Sequence, residues 1–338
     1  MTENWSLYHP EIPEFLCRLA ETPPMARLRQ VGMNCGCEYT SFPRFRHLPS
    51  YSRYDHSLGV GLIVWHFTGD AAQAAAGLLH DVATPVFAHT VDFLQGDHLH
   101  QEATEGPTAA LISASEEIRT VLNAHSIAVE DVWDYHRYPI ADNDPPGLSA
   151  DRLEYTLGNL VNYGFASSEL AAALYADLTV VENEQGAPEL AFSTPERAAE
   201  FALASLKTSR VYVADEDRFA MQALADLLRD AVNRQVLTED DLYRTESFVI
   251  QKLEADPASA RQWRRFRRFC RVERSAERPE NGLWFRIPAK LRYIDPLVAG
   301  LGRVSRLDAG VRQAQEAFLA TDFACWIGVP EETAGEND

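Results

Sequence analysis

SRYDHSLGVGLIVWHFTGDAAQAAAGLLHDVATPVFAH, residues 52–89, decides how the rest of this chain is read. Leu58, Leu62, Ile63, Trp65 and Phe67 spread around a helical wheel, which predicts a helix buried on most sides, with Asp55 as its N-cap. Asp70 is the natural cap of a second helix, AAQAAAGLLH, whose alanines allow close packing against a neighbour. Within this apolar frame stand His56, the His80-Asp81 pair and His89. A further acid, Asp151, opens the segment DRLEYTLGNL behind Ser149.

A single His-Asp dipeptide is weak evidence, and a lone histidine on an apolar helix is usually a satisfied core residue. Context changes the weighing. A carboxylate at the core-facing end of a helix is costly to bury unless a cation or an arginine meets it. Adjacent helical residues point about a quarter-turn apart, so His80 and Asp81 reach one centre only if it lies off the helix end. The Thr84-Pro85 break directly after Asp81 permits that. Two imidazoles and two carboxylates brought together by helix packing make a divalent metal site.

Composition narrows the partners. The 338 residues suffice for one large domain or two ordinary ones, and 46% hydrophobic with 24% charged residues is the balance of a soluble globular chain. A formal net charge of −19 repels polyanions, so broad nucleic-acid binding is disfavoured, while a metal and a few arginines still admit a small anionic substrate. No apolar run reaches bilayer length and MTENWSLYHP lacks a signal pattern, so the expectation is a cytoplasmic protein without a membrane partner. The five cysteines, Cys17, Cys35, Cys37, Cys270 and Cys325, are odd in number, and the C-x-C pair has no second half, so neither disulfides nor a structural zinc site is expected.

Along the chain, Thr22 is expected to cap a helix that starts at Pro23, and a Gly-, Pro- and aromatic-rich loop then delivers Arg53. Helix is predicted from Glu102 to His125, a polar loop from Trp133 to Gly147, and a β-hairpin from Leu178 to Ser193. Thr194-Pro195, Asp215 and Thr238 open later helices, the last with Asp241 three residues on. Arg261, Arg264, Arg265, Arg267, Arg268, Arg271 and Arg274 crowd one stretch. This reads either as a solvated face paired with the chain's own carboxylates or as an anion site or subunit contact supported by Lys290 and Arg292. Strand-like ENGLWFRIPAKLRYIDP and a final helix from about Leu307 to Ile327 follow.

The order R-x-x-H-S-x-G-V, then H-D with x-P-x-F-x-H, then D-R-x-E-Y resembles the HD-domain metal phosphohydrolases, most closely the branch with the deoxynucleoside triphosphate triphosphohydrolases. The likeness covers about Arg27 to Asn159, under half the chain. It implies a mainly α fold, an HD-domain helical bundle with one or two small β-hairpins. The expected division is a core over 1–235, hairpin included, and a helical and β extension over 236–338 that carries the arginine-rich segment. It also implies His56, His80, Asp81 and Asp151 as the four metal ligands. Arg53 matches an arginine that contacts substrate phosphate, His89 a candidate proton donor, and Asp92 an acid that orients active-site histidines. His100 resembles a later active-site histidine, with His98 as the competing position. Arg152 and Tyr155 match a basic residue and a tyrosine that hold phosphate and sugar. The chain departs from the pattern at Thr84, where the family often has a histidine, and at Met33 or Asn34, where a glutamine that reads the sugar is expected.

The function so implied is hydrolysis of a nucleotide or related phosphate ester or anhydride. The expected cofactor is one divalent ion: manganese, iron(II) or magnesium, with zinc or nickel as further fits. Two alternatives stay open: a catalytically weak nucleotide sensor that keeps the pocket, motivated by Thr84, and a cyclic or signalling-nucleotide phosphodiesterase. A homo-oligomer is compatible with all three.

Overall fold

Helices α1 (Glu14–Ala20) and α2 (Pro23–Arg27) lead into the central pair, α3 (Arg53–Thr68) and α4 (Ala71–Leu79). From Tyr54 to Val64 every residue of α3 except Asp55 is buried, as its unbroken apolar run predicts. Gly69, at φ 63°, ends α3 in the left-handed conformation that glycine adopts without strain, and Asp70 caps α4 by accepting from the amides of Ala72 and Gln73. The two backbones approach closely. A Cβ added at Gly61 would stand 3.2 Å from the Ala74 carbonyl oxygen, and one at Gly77 would stand 3.3 Å from Val60 Cγ1.

The computed structural model describes residues 7–90 and 105–330, with fourteen α-helices and seven short strands among them. The fold is mainly α. The helical stretch expected from Glu102 forms, in its described part, the helices Glu105–Ala114 and Glu116–Ala124. The expected hairpin is β1 (Leu178–Glu182) paired with β2 (Pro188–Phe192), in register Val180 to Leu190. Beyond it the β content exceeds one or two hairpins. β2 pairs in parallel with β5 (Leu297–Val298), which returns on β6 (Gly302–Arg303). A second sheet has the order β3 (Glu273–Ser275), β7 (Trp326–Val329), β4 (Leu283–Phe285). One hydrophobic cluster runs from Tyr8 to Ile327, so residues on both sides of position 235 share a core. No helix among the described residues is long and apolar enough to cross a membrane.

Local expectations needed correction where a competing partner won. The N-cap of α3 is Ser52, not Asp55. Asp55 lies at the third helical position, where its carboxylate reaches back to the Ser52 amide at 3.0 Å and completes a capping box. Thr22 and Thr194 hold cap positions, but their hydroxyls bond elsewhere, to the Leu19 carbonyl at 2.6 Å and to Asp177. The Thr238–Asp241 capping box closes only a 3₁₀ turn (Glu239–Tyr243), and the α-helix Glu246–Ala255 starts from its own cap, Thr245. The last helix is Ala309–Leu319, and Ile327 belongs to β7, where it is paired with Arg274 of β3 on one side and Phe285 of β4 on the other.

The cap of α4 gives a direct test. Asp70→Ala removes an acceptor from two helix-end amides and should lower unfolding stability by about 1 kcal/mol in urea denaturation. The metal affinity of the folded protein should be unaffected, because Asp70 lies at the exposed end of α4 remote from Leu79.

Candidate metal centre

Three helix ends converge here. The capping box fixes the first turn of α3, putting Arg53 at its start and His56 one turn in, 1% exposed. α4 stops at Leu79, so His80 is its C-cap and Asp81 lies off its end, as the Thr84-Pro85 break predicts. Ser149 caps the helix Ala150–Asn162 by accepting from the Arg152 amide, which sets Asp151 in the first turn. These residues lie 95 positions apart between His56 and Asp151 (151 − 56), yet His56 Nε2 is 3.0 Å from Asp151 Oδ1.

His80 Nε2 lies 3.8 Å from the same oxygen, and the two imidazole centroids are 5.1 Å apart. Together His56, His80 and Asp151 each offer a ligand atom within 4.8 Å of the others. Asp81 Oδ2 is 3.6 Å from His80 Nε2 and 4.0 Å from His56 Nε2. Donors on neighbouring corners of an octahedron with bonds of about 2.1 Å stand about 3 Å apart, so a small contraction of this set would enclose an ion. The outer ring nitrogens agree. His56 Nδ1 is 2.6 Å from Glu154 Oε2 and His80 Nδ1 is 2.7 Å from the Gly77 carbonyl, which leaves both Nε2 atoms turned to the common centre. The donor set fits a mixed nitrogen and oxygen divalent metal.

Electrostatics point the same way. Burial opposes a charge on His56, but the hydrogen bonds to Asp151 and Glu154 outweigh it and push the imidazole up to about 10. Burial alone would raise the Asp81 carboxyl, whereas Arg53 and the two imidazoles hold it well below the usual carboxylate range. Asp151 is likewise lowered, burial being outweighed by its hydrogen bond from His56. A proton on His56 thus neutralises a cluster of buried carboxylates, and a divalent cation would replace it.

The other expected residues divide clearly. Arg53, His89, Arg152 and Tyr155 line, with the cluster, one cavity of about 990 Å³. Arg53 is buried, donates to Asp81 Oδ2 at 2.8 Å, and has a buried Nε with no partner. Tyr155 has its ring centroid 6.4 Å from that of His56. Arg152 lies on the wall but its guanidinium is engaged by the preceding loop: Nε donates to the Gly147 carbonyl at 2.7 Å, Nη1 is 3.0 Å from Asp142, and Nη2 bonds Asn143. Thr84, in place of a family histidine, donates to Asp81 Oδ1 at 2.6 Å. Asp92, His98 and His100 lie outside the described residues.

Sequence reasoning missed Glu154. It is 3% exposed and accepts from Tyr51 at 2.5 Å and Tyr8 at 3.3 Å while holding His56. Gly59 makes its room, since an added Cβ would stand 2.6 Å from Glu154 Cγ. The signal was present in D-R-x-E-Y, where an acid falls on the face that Leu153, Leu157 and Leu160 bury. His136 also lines the cavity, its Nδ1 3.1 Å from Asp134 and its Nε2 3.5 Å from Asp142. Lys290 and Arg292 line it too, while none of the arginines from 261 to 274 does.

No family model matches the chain. It is 27% identical over 210 residues to the uncharacterized protein YdhJ of Bacillus subtilis, a match covering 60% of this chain and 61% of that relative, less than two thirds of its length. It is 23% identical over 260 residues to the metal-dependent phosphohydrolase cns2 of Cordyceps militaris, covering 73% of this chain and 71% of the other. Its fold is similar to that of a hypothetical protein from Aquifex aeolicus, with a TM-score of 0.66 at 19% identity, 94% of this chain and 93% of that one being covered. It is also similar to that of a phosphohydrolase from Bacteroides thetaiotaomicron, with a TM-score of 0.65 at 15% identity and coverage of 95% and 97%. The likeness to the solved structures is one of fold, the relative from Cordyceps militaris bears the name metal-dependent phosphohydrolase, and in this chain His56, His80 and Asp151 stand where they could hold a metal ion.

Two measurements follow from this geometry. Glu154→Gln should weaken manganese binding about ten- to hundredfold in a calorimetric titration, because His56 loses the carboxylate that orients it. The second concerns pH. The raised His56 value means that its proton stabilises the metal-free fold fully below the ordinary value of 6.5, a contribution lost as pH rises through about 10. Metal uptake must expel that proton, so manganese affinity should climb between about pH 6 and 9, by up to about tenfold per unit. A flat profile would show that His56 does not bind the ion.

Proposed function

We propose that this cavity hydrolyses an organic phosphate, with a nucleotide as the substrate and a reaction like that of the deoxynucleoside triphosphate triphosphohydrolases as the first candidate. The observation that carries the reading is the meeting of His56, His80 and Asp151 within 4.8 Å, with Asp81 beside them, on the wall of a cavity of about 990 Å³. That volume lies at the upper end of small-molecule sites and is ample for a nucleotide. The resemblance of the ordered motifs supports the nucleotide; the cluster alone supports only the phosphate.

His56, His80, Asp81 and Asp151 would hold the ion, with manganese, iron(II) or magnesium suiting their nitrogen and oxygen donors. When bound, such an ion acidifies a water and neutralises phosphate charge. The chain supplies the rest. Arg53, fixed by its bond to Asp81, is a rigid positive charge for non-bridging oxygens. Arg152, Lys290 and Arg292 add cationic charge around the same cavity. Tyr155 keeps its proton, because burial pushes its phenol up to about 12, and it can donate to a phosphate or sugar oxygen. His89, on the wall, is the residue suited to protonate the leaving oxygen.

The test is a nucleotide panel assayed with manganese for released phosphate, pyrophosphate and triphosphate. Triphosphate release marks the first candidate, and phosphate from monophosphates marks a nucleotidase. Asp81→Ala and Asp151→Ala should each lower turnover at least about 10²–10³-fold. Elemental analysis of the two variants should show the metal reduced or lost. Undiminished turnover in either variant would refute the mechanism.

A further inference from the structure

The helix Ala150–Asn162 does not end its contribution to the cavity at the metal cluster. Asp151, Tyr155, Asn159 and the C-cap Tyr163 recur every four residues, so they share one face, and all four line the cavity. At 1.5 Å per residue that row measures about 18 Å from end to end. A phosphoryl group at the Asp151 end would occupy only its beginning. The remainder is polar. Asn159 Nδ2 donates to the Tyr212 hydroxyl at 2.7 Å, and the Tyr163 hydroxyl donates to Asn34 Oδ1 at 3.1 Å.

Asp217 lines this same space from the first turn of the helix Asp215–Asn233. Tyr163 bonds Asn34, whose carbonyl accepts from the Cys37 amide at 2.9 Å, and the Cys37 thiol bonds Asp217, which assigns Asp217 to the Tyr163 end of the row. It is 9% exposed, and the hydrogen bond it accepts comes from the Cys37 thiol, with Sγ 3.8 Å from Oδ1. A thiol is a weak donor. The neighbouring Arg218 is spent on Asp215 and on the Val213 and Ile287 carbonyls. Burial consequently pushes the Asp217 carboxyl up to about 8, the behaviour of an acceptor short of donors.

We propose that Asp217 recognises the organic part of the substrate, accepting hydroxyl or amino donors at the end remote from phosphorus. The substrate is then a phosphate compound of about nucleoside length that carries such donors, rather than a small alkyl phosphate or pyrophosphate. This rests on the phosphohydrolase reading of the same cavity. The competing explanation is that Asp217 merely favours its helix N-terminus, a role indifferent to which substrate is bound.

The experiment compares kcat/KM of the manganese-loaded protein for the four common ribonucleoside 5′-monophosphates with that for phenyl phosphate, which has no donor at its far end. Assayed above about pH 8, where the Asp217 carboxyl is ionised, Asp217→Asn should lower the best nucleotide-to-phenyl ratio about ten- to hundredfold, the worth of one hydrogen bond to a charged group. Asp217→Ser, which shortens the same side chain and withdraws its carboxylate from the cavity, should shift the ratio in the same direction and decides the matter if Asp217→Asn fails to fold. An unchanged ratio, including a parallel loss on both substrates, overturns the proposal. If the native protein turns over neither substrate, the same comparison is made between the four nucleoside triphosphates and inorganic tripolyphosphate; if it turns over none of these, the phosphohydrolase reading fails, and the subsite is judged by binding. The four ribonucleosides, without phosphate, should then raise the melting temperature of the native protein but not of Asp217→Asn, and no rise in the native protein overturns the subsite.

Discussion

The contact of His56 with Asp151, at 3.0 Å, is the constraint on which the rest of this structure depends. It joins two helices at their N-terminal turns, where His56 is 1% exposed and so largely screened from solvent. Each carboxylate brought there would be costly alone, and the cost is offset only because Arg53, His56 and His80 meet Asp81 and Asp151 together. Removing one member leaves its partner buried and unpaired, so the cluster behaves as a unit. A proton on His56 balances it without metal. A divalent ion balances it better, and proton and ion exclude each other at the same Nε2.

How much of this was legible follows from what kind of interaction each residue makes. His56, His80, Asp81 and Asp151 could be found because their types are anomalous in apolar helices, and order along the chain supplied the rest. Arg53 was visible as the residue just ahead of His56. Glu154 was not, because an acid in a helix is ordinary until its three partners, Tyr8, Tyr51 and His56, are brought to it from 146, 103 and 98 residues away. Asp217 was hidden for the same reason, as its thiol partner Cys37 is 180 residues distant. The capping errors are of another sort. At Thr22 and Thr194 the residue types were right, and a nearby carbonyl or carboxylate took the hydroxyl instead.

The last hundred residues show why a charge run cannot be read without its fold. Arg303 reaches across to Glu184 and to the buried Glu189, while β5 pairs in parallel with β2. These ties bring the unpaired stretch between β4 and β5 against the cavity, so Lys290 and Arg292 belong to the wall around the metal cluster. The denser arginines do something different. Arg261, Arg264, Arg265, Arg267 and Arg268 are exposed on the helix Pro257–Arg268, and among the described residues only Arg271 and Arg274 of that cluster form ion pairs. Like charges four residues apart, 261 with 265 and 264 with 268, cost about 0.2–0.5 kcal/mol each. Cations in the last turn regain about 0.3–1 kcal/mol apiece from the helix dipole. With Arg265, Arg267 and Arg268 in that turn the gain outweighs the cost, so this face is stable in solvent without a bound anion. The positive charge that matters for a phosphate is the sparser set inside the cavity, where low exposure makes each charge count for more.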